Sequence, residues 1–420
     1  MNFTLTEIGA STIFALAVLH TFSTSYFEAL AKSHRRHAGL WHLLGEVEIV
    51  FGFWAAILIV FLALVDNLEI ARHYASSRNF TEALFVFAIM VVAGSKPILN
   101  FVTHILHAIG KILQTVLRTK STPTLYFLTL SITPVLGSFI TEAAAMTLAA
   151  FLLRDLVYRH SCSKLMLFGT LGVLFVNISI GGTLTNFAAP PVLMVASTWN
   201  WDSAFMMSHF GIESCIAILI NALLITLLLR KEFVEPQSET RPDKTPLTVT
   251  LVHLLFLVGV VVFAHDPVIF MWLLLFFIGY TTAYPKYQSP LILREALLVG
   301  FFLAGLIVLG GLQEWWLQPI LQNMSPTAVF YGALGLTALT DNAALTYLGS
   351  LVTGTSLEFK LALVGGAVAG GGLTVIANAP NPAGLAILRP YFPNAAVSAG
   401  MLLLAAIPPT LVTILAYRFL

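Results

Sequence analysis

Apolar runs of membrane-spanning length recur along most of the chain. A spanning helix needs ~20 predominantly apolar residues. Runs of that kind predict spans at about 8–30, 41–65, 80–106, 165–196, 204–229, 247–264, 268–284, 291–316, 361–388 and 396–418. Two other stretches, 123–158 and 326–352, follow a different pattern. Each holds two apolar runs around a short polar centre, and neither run is comfortably long enough to span alone. Small residues suited to a bend sit inside both: Pro134 and Gly137 in the first, Gly332 and Gly335 in the second. This pattern predicts re-entrant helical hairpins. Membranes tolerate such backbone where protein or a water-filled cavity surrounds it.

Two of the long runs are interrupted at their middles. One carries "GGTLTNFAAPP" at 181–191 and the other "GGGLTVIANAPNP" at 370–382. Gly and Pro at this density do not continue a helix, so both runs predict broken helices.

The order of elements then repeats. Three spans, a hairpin, a broken helix and a span make each half. The expected division is a first repeat at 1–230 (hairpin 123–158, broken helix 165–196) and a second at 247–420 (hairpin 326–352, broken helix 361–388). A hydrophilic cytoplasmic linker, 231–246, separates them. The hairpin centres "TEAAAMT" (141–147) and "TDNAALT" (340–346) align at Thr, acid, Ala, Ala and Thr. The broken helices align at Gly-Gly and at Ala189-Pro190 with Ala379-Pro380. The predicted class is an all-α polytopic membrane protein of two inverted repeats, with about ten spanning helices and two hairpins.

Charge tests that topology. With hairpins counted as not crossing, each half has an odd number of crossings, so the second half is inverted. A start outside then puts sixteen Lys and Arg inside, among them Lys32, Arg35, Arg36, Arg241, Lys244 and Arg294. Four fall outside: Arg72, Arg78, Lys360 and Arg418. That split satisfies the positive-inside rule with both termini outside. Composition agrees: 58% of the residues are hydrophobic and 10% charged, against roughly 25% charged in a soluble domain. The net charge of +1 gives no reason to expect a nucleic-acid partner; the lipid bilayer is the expected one. Cys162 and Cys215 have no metal-ligand spacing and read as small apolar residues. No phosphate-binding loop, zinc motif or nucleophile elbow occurs, so neither ATP drive nor enzymatic hydrolysis is expected.

Inverted repeats with discontinuous helices are the pattern of a secondary transporter whose site lies between the repeats. Glu142 and Asp341 occupy equivalent hairpin centres. An acid at a helix centre costs ~2.5–3.5 kcal/mol even on the lenient insertion scale, and such residues are functional by default. A buried carboxyl group can hold a proton or a metal ion, and the two compete. Competition of that kind is the chemistry of exchange. Thr141, Thr340, Asn342, Thr183, Thr185, Asn186, Thr374, Asn378 and Asn381 are neutral oxygen donors in the same regions. Hard cations take oxygen ligands, and the set could complete a shell. Capping of the broken helices is the alternative use for each. Glu46, early in the second predicted span, is a candidate relay, and Lys96 in "GSKP" interrupts the third.

At these residues the chain resembles the ion transporter superfamily, which includes NhaD-type sodium/proton antiporters, arsenite permeases and dicarboxylate carriers. "GSFITEAAAMT" (137–147), "LTDNAALTYLG" (339–349) and "IANAPNPAG" (376–384) most resemble a bacterial family of Na⁺/H⁺ antiporters. The resemblance implies a scaffold, a moving transport region and a homodimer. NhaD-like members tend to carry Asp-Asn in both hairpins; here the first hairpin has Glu142-Ala143. The Ser-Asn-Thr triplet of the superfamily's carboxylate carriers is absent from both hairpins. The expected function is therefore sodium/proton antiport by alternating access in a bacterial inner membrane. Na⁺ and H⁺ are the transported ions, with no cofactor. Asp341 takes the heavier ion-binding duty and Glu142 carries the proton. The alternative is a sodium-coupled symporter of a small organic acid or oxyanion.

Overall fold

The computed structural model describes residues 4–21, 23–33, 37–160, 162–234 and 245–420. Arg35, Arg36, Arg241, Lys244 and most of the predicted linker lie outside the described residues. Among those described there is no strand, and the protein is all-α. Its first part runs through α1 (Leu5–Thr21), α2 (Thr24–Ser33), α3 (Ala38–Gly45), α4 (Val47–Val65), α5 (Leu68–Ser76), α6 (Thr81–Ala93) and α7 (Lys96–Leu117). Then come α8 (Ser121–Ile140), α9 (Glu142–Leu153), α10 (Lys164–Gly181), α11 (Pro190–Trp199), α12 (Ser203–Met206) and α13 (Ile212–Leu228). The remainder comprises α14 (Leu247–Val262), α15 (Pro267–Ala283), α16 (Leu293–Gly310), α17 (Glu314–Leu321), α18 (Pro326–Thr337), α19 (Asn342–Ser350), α20 (Leu357–Gly370), α21 (Asn381–Leu388) and α22 (Ala399–Phe419).

Local chemistry sets many of these starts. Ser163, Ser325, Ser356 and Ser398 each accept a bond from the backbone N–H three residues on, at the head of α10, α18, α20 and α22. A helix leaves its first N–H groups without partners, and a side-chain oxygen at the cap satisfies one of them.

Among the described residues, five helices are long and apolar enough to cross a bilayer alone, or up to seven with two bent pairs. Three shorter apolar helices, α1, α14 and α15, have 17, 16 and 17 residues, near the lower bound for a span. The protein is a multi-pass membrane protein. Fewer uninterrupted spans form than the apolar runs predict, because several runs contain breaks. The run at 80–106 stops at Ala93, turns through an extended Ser95, and restarts with Pro97 in the first turn of α7. Proline has no N–H and disfavours helix in the residue before it, so a helix starts there more readily than it continues. In α7, Ile98, Val102, Leu106 and Gly110 are buried at four-residue spacing, while His104, Ala108, Lys111 and Thr115 are exposed. It is an amphipathic helix, not the end of a span.

The two hairpins also differ from the expected pair of short arms. Pro134 lies inside α8 without ending it, and the resulting 20-residue helix is long enough to span alone. The next helix, α9, packs back along it. At the second centre α18 packs mainly along α20 and touches α19 only lightly.

Packing partners nevertheless fall into matched sets across the two halves. The helix after the first hairpin centre, α9, packs on α21; its counterpart α19 packs on α11. α8 lies on α10 as α18 lies on α20, and α10 touches α20. Outside this group, α16 packs on α4 and α6 on α15, with α6 and α16 against each other. Each broken helix thus sits between its own hairpin and that of the other half.

Contacts this close depend on small residues, because apolar helices in lipid associate through packing and not through expulsion of water. At Gly366 in α20, an added Cβ would lie 2.1 Å from the carbonyl oxygen of Phe330 in α18. The neighbour is backbone and cannot swing away. Gly366→Ala is expected to lower the apparent unfolding temperature in detergent, through an overpacking cost of ~1–3 kcal/mol. Gly279→Ala in α15, where nothing lies within 4 Å of the added Cβ, should leave it unchanged or raise it.

Candidate functional site

The chain reverses at Thr141, between α8 and α9. Its φ of 73° and ψ of 151° belong to a region that only glycine enters freely. The Thr141 hydroxyl accepts from the Ala144 N–H at 3.4 Å, and its carbonyl accepts from Ala145. Glu142 is the first residue of α9, where the helix dipole favours an acid. Its side chain is 1% exposed. One carboxylate oxygen, Oε2, accepts from the Asn378 amide at 2.9 Å. The other, Oε1, has no hydrogen-bond partner among the described residues. A Cβ on Gly182 would fall 2.4 Å from Oε1, so the glycine of the first break is what lets the carboxylate in. Three segments therefore meet at Glu142: the first hairpin centre and both helix breaks.

The second centre is built differently. Asp341 caps α19, with Oδ1 accepting from the N–H groups of Ala343 and Ala344 at 2.8 and 3.2 Å. The next residue, Asn342, is fully buried. Its backbone N–H donates to Ala377 in the second break at 3.1 Å. Neither end of its side-chain amide has a partner among the described residues, and the same holds for Oδ1 of Asn378 and of Asn381. A Cβ on Gly371 would meet Ser179 Oγ at 2.1 Å and Asn342 Nδ2 at 2.8 Å. Asn381 donates to the carbonyls of Gly371 and Thr374 at 2.8 and 2.9 Å. Three buried amide oxygens thus lack donors in one neighbourhood, beside a half-satisfied carboxylate.

The two acids lie within electrostatic reach of each other but open into different cavities. Thr141 and Glu142 line a cavity of about 420 Å³ bounded by α6, α16 and the start of α21; Glu46, Arg294 and Glu295 line it too. Thr340 and Asp341 line one of about 180 Å³ walled by Phe14, Val18, Phe51, Phe302 and Ile376. Among the described residues no three His, Cys, Asp or Glu side chains converge in a metal cluster. What the site offers a cation is carboxylate and amide oxygen, the ligand class of a hard ion.

Residues 5–420 match the profile of a family described as "Putative Na+/H+ antiporter". The chain belongs to that family. No curated protein matches it. An antiporter family is a family of transporters, and the match points to a cation/proton antiporter.

Within that fold the remaining hydroxyls and amides singled out from the sequence are placed as follows. Thr183 donates to Ile180 at 2.7 Å and bonds Ser214, which in turn bonds Tyr417. Thr185 donates to the carbonyl of Ser138, and the Ser138 hydroxyl bridges the Gly181 carbonyl and the Leu184 N–H. Asn186 bonds Trp201 and Ser203. Thr374 donates to Ala338 at 2.9 Å and Thr340 to Leu336 at 3.0 Å. These bonds tie the breaks and the second centre to neighbouring backbone. Thr141, Glu142 and Asn378 come together, as do Asn342 and Asn381. Thr183, Thr185, Asn186 and Thr374 spend their side chains on the bonds just given, and no bond joins them to the carboxylate among the described residues. Gly182, Gly371 and Ser179 complete the setting. The Gly-Gly steps of the two breaks are the sequence signal for the first two.

Thr141 gives a test of the turn. A non-glycine residue in this backbone region costs about 1–3 kcal/mol, and replacing a threonine cap by glycine loses only a few tenths. Thr141→Gly should raise the unfolding temperature in detergent. Thr141→Ala keeps the strain and loses the cap, and should lower it.

Proposed function

We propose that the protein is a sodium/proton antiporter working by alternating access, with Glu142 as the proton carrier. The observation that supports this most directly is the half-satisfied, buried Glu142 carboxylate lining a cavity. Its open oxygen can take a proton or share a metal ion, and occupancy by one disfavours the other. Asp341, Asn342 and Asn381 are the proposed oxygen ligands for Na⁺, and Asn378 links the two centres. The threonines of the breaks are assigned to holding backbone. Asp341 keeps the heavier ion-binding duty, since its carboxylate is fixed by two backbone N–H groups and its neighbour's amide is unspent.

The matched packing of the two halves supports a pair of inverted repeats, in which α9 with α21 and α19 with α11 would move against α4, α6, α15 and α16. The Lys and Arg count supports a bacterial inner-membrane orientation with both termini outside. In that orientation the Glu142 cavity, with Arg294 at its mouth, opens to the cytoplasm. A homodimer in the bilayer is the proposed assembly, with Na⁺ and H⁺ as cargo and no cofactor.

The guanidinium at the cavity mouth is the one feature that favours sodium-coupled symport of a small organic acid instead. Reconstitution separates the two. With a Na⁺ gradient across proteoliposomes and a pH dye inside, antiport predicts sodium-driven proton movement, and its absence in the wild type would sink the proposal. Symport predicts uptake of a labelled organic acid that rises with Na⁺. Glu142→Gln should cut proton movement on the order of a hundredfold, the range for loss of a positioned proton-transfer group. Asp341→Asn should chiefly raise the Na⁺ concentration needed for half-maximal rate.

A further inference from the structure

We propose that Glu46 is an alkali-cation station at the mouth of the Glu142 cavity, and that Arg294 is a tethered cation occupying it when no ion is bound. This rests on the antiport function proposed above and assigns it a first point of contact. Glu46 is the single residue between α3 and α4, with φ −85° and ψ 114°. The break turns its carboxylate into the cavity. Although it holds the N-cap position of α4, its side chain makes no capping bond, so local structure does not use the carboxylate.

Its partner accounts for only half of it. Arg294 bonds Oε1 through Nη2; Oε2 is buried with no partner among the described residues. A structural Arg–carboxylate pair is usually bidentate and satisfies both oxygens. Exposure is also lopsided: the Glu46 side chain is 18% exposed and that of Arg294 67%. A guanidinium so well solvated loses little by letting go. A carboxylate so nearly buried loses much if left alone. Release of Arg294 therefore calls for another cation on Glu46.

The rest of the cavity points the same way. Among the described residues its titratable lining is Glu46, Glu142, Glu295 and Arg294. Three carboxylates face one guanidinium, so the space draws cations inward once the pair opens. Glu142, with its buried, open oxygen, lines the same cavity. A cation displacing Arg294 from Glu46 would stand in the cavity that leads there.

The test is the sign of two substitutions, read as half-saturating Na⁺ and maximal rate in proteoliposomes, with Na⁺ presented on the Arg294 side. Glu46→Gln should raise half-saturating Na⁺ severalfold, more than it lowers the maximal rate, and Glu46→Asp should recover part of that change. Arg294→Gln removes the competitor and should lower half-saturating Na⁺. A merely structural ion pair would give both breaks the same effect, and changes of the same sign would overturn the proposal. Binding of radioactive Na⁺ to purified protein repeats the comparison without transport. Opposite shifts in binding with no sodium-driven proton movement in the wild type would support the station and overturn antiport alone. Intact transport with neither shift would overturn the station alone.

Discussion

Backbone that leaves a helix inside a membrane must find its hydrogen bonds within the protein, because lipid offers none. Both breaks in this chain and both hairpin centres face that demand, and most of the polar residues around them are spent meeting it. Ser138 bridges Gly181 and Leu184. Asn381 takes the carbonyls of Gly371 and Thr374. Asn177 reaches the carbonyls of Leu130 and Ile218, and Ser179 that of Val368. Among the buried oxygens that find no partner in the described residues are Glu142 Oε1 and the amide oxygens of Asn342, Asn378 and Asn381. The site is defined by what the scaffold does not consume.

That division explains which parts of the protein are legible from sequence. Helix breaks show plainly, because Gly-Gly and Ala-Pro steps inside apolar runs have no helical interpretation. The acids at 142 and 341 stand out because lipid makes a buried charge costly. The threonines do not separate in this way. A Thr beside freed carbonyls has the same neighbours in sequence whether it ligates an ion or ties backbone, and Thr183, Thr185 and Thr374 all bond carbonyls. The break at Gly94 and Ser95 is signalled by "GSKP", with Lys96 and Pro97, inside an otherwise hydrophobic run. The length of α8 is misjudged from Pro134, which the helix accommodates. The ion pair at the cavity mouth joins residues 248 positions apart, and no local pattern announces it.

The close approaches that build the site come from the same economy. Gly182 admits the Glu142 carboxylate and Gly371 admits Asn342 and Ser179. Glu142 reaches Gly182 within the first half, whereas Ser179 crosses from the first half to Gly371 in the second. A single repeat would leave Glu142 without Asn378 and α9 without α21. The centre at Glu142 thus needs both parts of the chain, since the first supplies the acid and the second the amide bonded to it.

The two centres hold their acids differently. At Asp341 two N–H groups at the head of its own helix bond Oδ1. At Glu142 the compensation comes from across the molecule, through one amide on the break of the other half. An ionised acid at a helix centre costs ~2.5–3.5 kcal/mol, and a hydrogen bond to a charged group returns ~1.5–3 kcal/mol. With one such bond and an open oxygen, the balance at Glu142 is set by whatever occupies that oxygen. Asn378 stands in the break that leads into α21, and α21 is the helix on which α9 packs. In the proposed exchange, a proton or an ion arriving at Glu142 would change what Asn378 is bonded to, and so act on the contact between α9 and α21.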